Sequence, residues 1–376
     1  MPREMMIYTG PFDLFLGDGV SATFFDLLTF FKKEGYDTKI VTCSHSIEQT
    51  RRTKQYIESH IPENIVYKDK TRIIYTWDSI EIDYALFPVS RENVLVNSHP
   101  SITNRYKKVL LKYPNAVYFT SDHDINCFIL HELFRTKSFH FIHSPVAFAE
   151  FIQSVPAMNW ILTSLRQKIP FTNSLFSQEY LRAHTGMEAR YWPPYIEKER
   201  YVSHGQQSRR LNKIIGFYNA GPHKGGKIVH SLMDQLPEYT FKIMGYRHPI
   251  PSRPHVQFHE EPIGSKRFYS DLSLLIVPSM VPEGYSRVIM EAFMNGIPVI
   301  ANKVGGIPEA AGKAGILVDS DQKEEQMVRE YVDHIHHLLH DELYYETLSQ
   351  RSLEHSEGYH RMITHLNTQH MIHFFR

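Results

Sequence analysis

Two carboxylates, Glu283 and Glu291, stand eight positions apart in a segment punctuated by glycine and proline, which runs from Pro278-Ser279 to Gly296-Ile297-Pro298; Gly305-Gly306-Ile307-Pro308-Glu309 follows. The pattern predicts a short helix starting just after Glu283, with a buried strand at Pro298–Ile300 behind it. A helix start presents free backbone N–H groups and positive partial charge, which suits a phosphate. Carboxylates beside that anion site repel phosphate and are better suited to accept hydrogen bonds from sugar hydroxyls. Phosphate and hydroxyls in one pocket describe a nucleotide-sugar. The plainer reading makes Glu283 a first-turn acid favoured by the helix dipole and Glu291 a solvent-facing residue. Met290, Ala292 and Phe293 oppose the second half of it: they predict a helix buried on most sides, where a charge needs partners.

A second group is Asn219-Ala220-Gly221-Pro222-His223-Lys224-Gly225-Gly226, directly after an apolar strand. A lysine in a glycine-rich strand-to-helix turn can meet a diphosphate as a point charge while the backbone comes close. Alone, it also reads as a surface turn that holds a lysine. Near the N-terminus Gly17-x-Gly19-x-x-Ala22 has the form of a dinucleotide fingerprint. Gly17 lies well past the strand ending at Tyr8, however, and the next strand ends in Val41-Thr42-Cys43 with no carboxylate for a ribose, which argues against NAD. His143 sits at the end of the apolar run Phe139–Ile142, where a histidine is as readily structural as functional.

Asp122-His123-Asp124 has the spacing to hold a divalent cation. A lysine and a helix start already supply charge for a diphosphate, so no metal is expected. His334, His336, His337 and His340 read as a solvated helix face, with no cysteine nearby to complete a zinc site. Arg105-Tyr106-Lys107-Lys108 with Lys112, beside Val109-Leu110-Leu111, reads the same way, with peripheral membrane contact as the other reading.

The elements that must position these groups alternate strand and helix. Met5–Tyr8, Thr38–Val41, Ala116–Phe119 and Phe139–Ile142 read as strands, and Val20–Lys33 as a helix with Phe24, Leu27, Leu28 and Phe31 on one side, closed by Gly35. After Tyr191-Trp192-Pro193-Pro194 the series restarts: strand Lys213–Tyr218, helix Lys227–Leu236, strand Tyr239–Met244, then Leu272–Val277 and Pro298–Ile300. Such alternation predicts an α/β protein with parallel sheets covered by helices on both faces. At 376 residues, two domains are the default. The polar stretch Tyr201–Arg210 marks the break, giving domains at 1–200 and 201–359, with a C-terminal helix near 360–376 that can pack back on the first.

Composition excludes several classes. With 42% hydrophobic and 22% charged residues the chain is globular, and its 41 basic residues balance 41 acidic ones, so nucleic acid is not an expected partner. The two cysteines, Cys43 and Cys127, are too few for a disulfide framework and fit a reduced setting. No secretory signal and no apolar run of roughly 20 residues is seen, so the expected location is cytoplasmic, with peripheral contact at the inner membrane face left open.

From Lys213 to Asp319 the chain resembles the C-terminal domain of the retaining glycosyltransferases of family four, "glycosyl transferases group 1" proteins with the GT-B fold. That fold places two Rossmann-like, doubly wound domains face to face across a cleft. The family's glutamate, seven residues, glutamate-alanine pattern is matched at Glu283 and Glu291-Ala292, and its Gly-Gly-x-Pro-Glu at Gly305–Glu309. The resemblance implies that Glu283 contacts the transferred sugar and Glu291 the ribose, while the amides of Tyr285, Ser286 and Arg287 cradle the diphosphate. Ser286 stands where glycine is usual. Lys224-Gly225 matches a diphosphate contact, but Asn219 stands where the family carries arginine, so that cationic contact is either lost or supplied by another residue such as Arg287 or His223. Gly17, Asp18, Gly19 and Gly245 complete the donor contacts, and His143 hydrogen-bonds the sugar. The implied activity moves a hexosyl unit from a UDP- or GDP-sugar to an unidentified acceptor, which can be a glycan, lipid, protein or small molecule. Retention is implied by the family, and no metal or other cofactor is expected. A nucleotide-sugar 2-epimerase of the same fold and a non-catalytic nucleotide-sugar-binding protein are the alternatives; the intact glutamate pair and lysine argue against the second.

Overall fold

A computed structural model describes residues 5–10, 19–43, 47–86, 100–121, 125–154, 159–203, 209–219, 221–245, 253–259 and 266–374. The chain divides into two compact units, one of Met1–Asn173 with Gln178–Tyr191 and the other of Ser174–Ser177 with Trp192–Arg376.

In the N-terminal unit the described strands form one nine-stranded sheet in the order β3-β4-β5-β2-β1-β6-β7-β8-β9. The first strands are β1 (Met5–Thr9), β2 (Asp37–Cys43), β3 (Ile65–Lys68), β4 (Arg72–Trp77) and β5 (Ile80–Ala85). They are followed by β6 (Val117–Ser121), β7 (Lys137–Ile142), β8 (Phe171–Thr172) and β9 (Arg190–Tyr191). From β5 to β9 all neighbours are parallel, and these central strands are buried almost throughout, as continuous apolar runs predict. The helix Gly19–Lys33 packs Phe24, Phe25, Leu27, Leu28 and Phe31 into the core and ends in Lys32 and Lys33, which complement its dipole. β3 and β4 extend the sheet antiparallel, and the alternating burial of β4 marks a strand with one solvated face.

The C-terminal unit has a six-stranded, wholly parallel sheet in the order β12-β11-β10-β13-β14-β15. Its strands are β10 (Ile214–Tyr218), β11 (Thr240–Met244), β12 (Val256–His259), β13 (Leu274–Val277), β14 (Val299–Asn302) and β15 (Ile316–Val318). Two strands, β11 and β12, build outward from β10 before the chain returns to lay β13 on its other side. The order therefore reverses between β10 and β13, and crevices for ligands open at the carboxyl ends of such a pair. One core cluster joins this sheet to helices Gly226–Gln235 and Glu324–His340, through residues such as Ile228, Leu232, Tyr331 and Leu338.

Two boundaries differ from the sequence expectation. The division falls at Tyr191/Trp192 rather than near Tyr201, and the C-terminal helix, Glu342–Phe374, groups with the second unit. The reason is local bonding: Trp192 Nε1 donates to Asn367 Oδ1 (2.7 Å), and Tyr359 donates to the Pro194 carbonyl (2.6 Å). Ser349 on the same helix donates to the Gly296 carbonyl (2.7 Å).

Candidate functional site

Three loops leave the carboxyl ends of β10, β13 and β14, and backbone packed on backbone holds them together. Gly225 takes a left-handed φ of +83°, and a Cβ there would lie 2.0 Å from the Pro278 carbonyl oxygen. The Met280 amide donates to the His223 carbonyl (2.9 Å), joining the β10 and β13 loops. In the β14 loop a Cβ on Gly305 would lie 2.5 Å from Glu283 O, and one on Gly306 would lie 1.9 Å from Gly284 O. The Gly306 amide donates to the Glu283 carbonyl at 2.8 Å. The glycines are thus fixed by contact, because no side chain fits between these loops.

On this frame Lys224 Nζ donates to Glu283 Oε1 at 2.7 Å. Both side chains keep some solvent access, 38% for the lysine and 13% for the glutamate, so the pair is reachable by a ligand. Ser279 Oγ donates to the same glutamate oxygen. Behind it, Asn302 Nδ2 donates to the Ser279 carbonyl (3.1 Å), and Tyr331 donates to Asn302 Oδ1 (2.9 Å). Burial pushes the Tyr331 hydroxyl well above its ordinary pKa, which keeps it a donor. Ser279, Asn302 and Tyr331 were not singled out from the sequence. The available signal was a polar residue, Asn302, ending a strand that is otherwise apolar.

Helix Arg287–Phe293 starts immediately after Ser286. Ser286 is 1% exposed, does not cap the helix, and its Oγ is buried with no hydrogen-bond partner among the described residues. Tyr285 stacks on Tyr359 with ring centroids 5.7 Å apart. Glu291, 4% exposed, lies mid-helix: Tyr269 donates to its Oε2 (2.7 Å) and Arg287 Nε stands 3.4 Å from its Oε1. Burial first, then the neighbouring Glu291 charge, raises the Tyr269 pKa well above its usual value. The Arg287 guanidinium also donates to the Tyr195 carbonyl (3.0 Å) and the Tyr201 hydroxyl (3.2 Å). Arg287 is thus a buried internal partner of Glu291. His223 is exposed.

Asn219 owes its identity to its turn. It has a φ of +65°, a conformation asparagine tolerates, and its Oδ1 accepts from the Gly221 amide (3.2 Å). Gly245 leaves β11 with a φ of +70°, its amide bonded to the His259 carbonyl (3.1 Å).

In the N-terminal unit Gly17, Asp18 and Asp122–Asp124 lie outside the described residues. Gly19 opens the first helix, its carbonyl accepting from Thr23 Oγ1 (2.6 Å). His143 follows β7 and is 7% exposed, its ring edge-on to Phe24 (5.5 Å) and stacked on Phe141 (5.8 Å). Among the other histidines, His336 lies 3.5 Å from Glu238 and His337 lies 3.9 Å from Asp341, on a partly exposed helix face. Among the described residues no helix is long and apolar enough to cross a membrane.

Two doubly wound units, the second with its switch point dressed in this way, define the fold of the GT-B glycosyltransferases. Within the second unit, residues 226–341 match the family described as Glycosyl transferases group 1. Among curated proteins the chain is similar to the sulfoquinovosyl transferase SQD2 of Arabidopsis thaliana, 27% identical over 172 residues. That match covers 42% of this chain and 32% of the relative, so about a third of the relative's length is spanned. Sucrose-phosphate synthase from Thermosynechococcus elongatus superimposes with a TM-score of 0.72 at 17% identity, covering 99% of each chain. Anabaena Alr3699/HepE, solved in complex with UDP-glucose, gives a TM-score of 0.69 at 14% identity, covering 97% of this chain and 99% of the other.

Proposed function

We propose that this protein is a retaining glycosyltransferase that moves a hexosyl unit from a nucleotide-diphosphate sugar to an acceptor hydroxyl. The observation that carries the proposal is the Lys224–Glu283 pair, held 2.7 Å apart at the switch point between β10 and β13. As the bond from the anomeric carbon to the diphosphate oxygen breaks, negative charge grows on the departing group. In this scheme Lys224 and the backbone amides at the start of helix Arg287–Phe293 meet that charge, which is the kind of stabilisation that moves rates most. Glu283 accepts hydrogen bonds from the sugar. The acceptor oxygen then bonds to the anomeric carbon, and its proton passes to the diphosphate. In this scheme Glu291 meets the ribose while both of its carboxylate oxygens also hold internal partners, Tyr269 at Oε2 and Arg287 at Oε1. The donor contacts assigned to His143 and to Gly17–Gly19 rest on resemblance. The diphosphate charge is met by protein groups, so the reaction needs no metal and survives EDTA. We place the protein in the cytoplasm.

A thermal-shift screen of UDP, GDP, ADP and their sugars, beginning with UDP-glucose because a solved neighbour holds it, identifies the donor. With that donor, Lys224→Ala lowers nucleoside-diphosphate release by about 10²–10³-fold while the melting point barely moves. Surface pairs of this kind contribute only about 0–1 kcal/mol to stability. Wild-type turnover in the variant removes the lysine from the mechanism. Proton NMR of donor without acceptor separates transfer from 2-epimerisation.

A further inference from the structure

The basic stretch of the N-terminal unit does not lie on a plain solvated face. On helix Pro100–Lys112, residues Arg105, Lys108, Val109 and Lys112 follow the spacing of one helix face. That face adjoins a pocket of about 360 Å³ lined also by Lys39, Arg72, Ile74, Glu81, Asp83 and Tyr113. The volume lies within the range of small-molecule sites. Pairing of β2 with β5 sets Lys39 directly opposite Glu81, and β4 brings Arg72 alongside.

The charges in this pocket do not balance. Five cations, Lys39, Arg72, Arg105, Lys108 and Lys112, face two carboxylates. Lys39 is bound to Glu81, and Arg105 to both the side chain and the carbonyl of Asp83. Arg72 Nη1 stands 3.6 Å from Asp83, so both acids are already engaged. Lys108 and Lys112, both exposed, have no carboxylate partner among the described residues. Arg105 also donates to the Thr42 carbonyl (3.1 Å), and its Nε is buried with no hydrogen-bond partner among the described residues. Two exposed ammonium groups without a carboxylate, one of them over the Tyr113 ring, ask for a dianion with several acceptor oxygens, which describes a phosphomonoester. Glu81 is 41% exposed and meets Lys39 through Oε1, which leaves a carboxylate oxygen for a hydroxyl beside the anion.

We propose that this pocket, on one face of the β2–β5–β4 part of the sheet, is a binding site for a small phosphorylated sugar. It lies wholly within the N-terminal unit, whereas Lys224 and Glu283 belong to the other unit, so it is a site additional to the one described above.

The full-length protein is titrated calorimetrically with glucose 6-phosphate, inorganic phosphate and free glucose, and mixed with vesicles containing phosphatidic acid. Glucose 6-phosphate binds saturably and more weakly in added salt, phosphate binds more weakly still, and glucose does not bind. In the double variant Lys108→Gln/Lys112→Gln, whose exposed positions leave the fold intact, glucose 6-phosphate binds about tenfold or more weakly, as the loss of charge-assisted contacts dictates. Nucleoside-diphosphate binding is unchanged in that variant, which separates this site from the donor site. No binding by the wild-type protein, or equal binding by the double variant, overturns the proposal. Capture by vesicles without binding of soluble glucose 6-phosphate also overturns it, in favour of a lipid headgroup.

Discussion

At the carboxyl ends of β10 and β13, Lys224 meets Glu283 on loops packed backbone against backbone, whereas on the face of β2 and β5 five long cationic side chains gather around Glu81 and Asp83 with no such backbone packing behind them. The first arrangement demands glycine at fixed positions, since a Cβ on Gly225 or Gly306 would overlap a carbonyl oxygen. The second demands only that long side chains reach one concavity, which many spacings satisfy. A site of the first kind leaves a pattern in the sequence; one of the second kind leaves a charge run that looks like any solvated helix. The comparison also separates two meanings of a buried charge. Glu291 is enclosed with one arginine and one tyrosine, while Asp83 shares its cations with an open pocket.

The largest expected effect tests that enclosure. Glu291→Ala leaves the Arg287 guanidinium buried without its carboxylate, and losing one partner of such a pair costs about 3–5 kcal/mol. The denaturant midpoint of the variant drops accordingly, before any ligand is added. A midpoint close to wild type would mean that Glu291 serves ligand only. Glu291→Ala is for this reason a poor test of ribose contact unless folding is checked alongside.

Next comes the packing of backbone on backbone. Gly306→Ala forces a methyl group to within 1.9 Å of Gly284 O, and the overpacked loop costs about 1–3 kcal/mol and displaces Glu283. Gly35→Ala is the matched control: its φ is +93°, but nothing lies within 4 Å of the added carbon. It pays only for strain, roughly 1 kcal/mol. Gly306 has an ordinary φ of −84°, so a loss no larger than that of Gly35→Ala would show that the loops yield to the methyl group and that contact is not what selects glycine at 306.

These contrasts explain what was legible beforehand. Strands β1, β2, β6, β7, β10, β11, β13 and β14 stand where apolar runs predicted them, because parallel strands covered on both faces have no polar side to blur the pattern. β3 and β4 went unread: both are short and largely solvated, β4 burying only Ile73 and Tyr75. Glu283, Lys224 and the Gly305-Gly306 pair were legible through glycine spacing, and the structure brings them into contact with one another. The partners of Glu291 were not. Tyr269 lies 22 positions away, and nothing in the local pattern near Arg287 shows a guanidinium turned inward. Trp192 and Asn367 are 175 positions apart, so the true edge of the second unit could be found only in three dimensions.

A smaller effect is read from the pH dependence of stability. His131, 2% exposed in the N-terminal unit, contacts Thr9 Oγ1 (3.1 Å) and Thr136 Oγ1 (2.7 Å). Burial, aided by the charges of Lys168 and His140, lowers its pKa to about 3. The folded protein therefore holds this ring neutral at a pH where the unfolded chain takes a proton. Stability from His131 is complete above the unfolded pKa near 6.5 and is lost as pH falls from there toward 3, amounting to about 2 kcal/mol by pH 5. Half-buried His355 in the other unit is shifted in the same direction, so the wild-type slope is composite. Urea midpoints of wild type and His131→Gln, compared from neutral to acid pH, isolate the share of one ring. Parallel slopes would show that His131 takes up a proton in the fold as readily as in the unfolded chain.

The smallest expected change has the opposite sign. Gly358 sits inside helix Glu342–Phe374 with nothing within 4 Å of an added Cβ, so neither contact nor turn geometry requires it there. A helix-interior glycine costs backbone entropy that alanine does not, and Gly358→Ala should raise stability by about 0.5–1 kcal/mol. The gain is read as a higher urea midpoint at unchanged slope, because the surface exposed on unfolding stays the same. Its force lies in the contrast with Gly306→Ala, where the same methyl group is expected to destabilise. If Gly358→Ala lowered the midpoint instead, the helix would be under a constraint that the open space around the residue does not show, and glycine contacts would lose their value as a guide to which loops form the site.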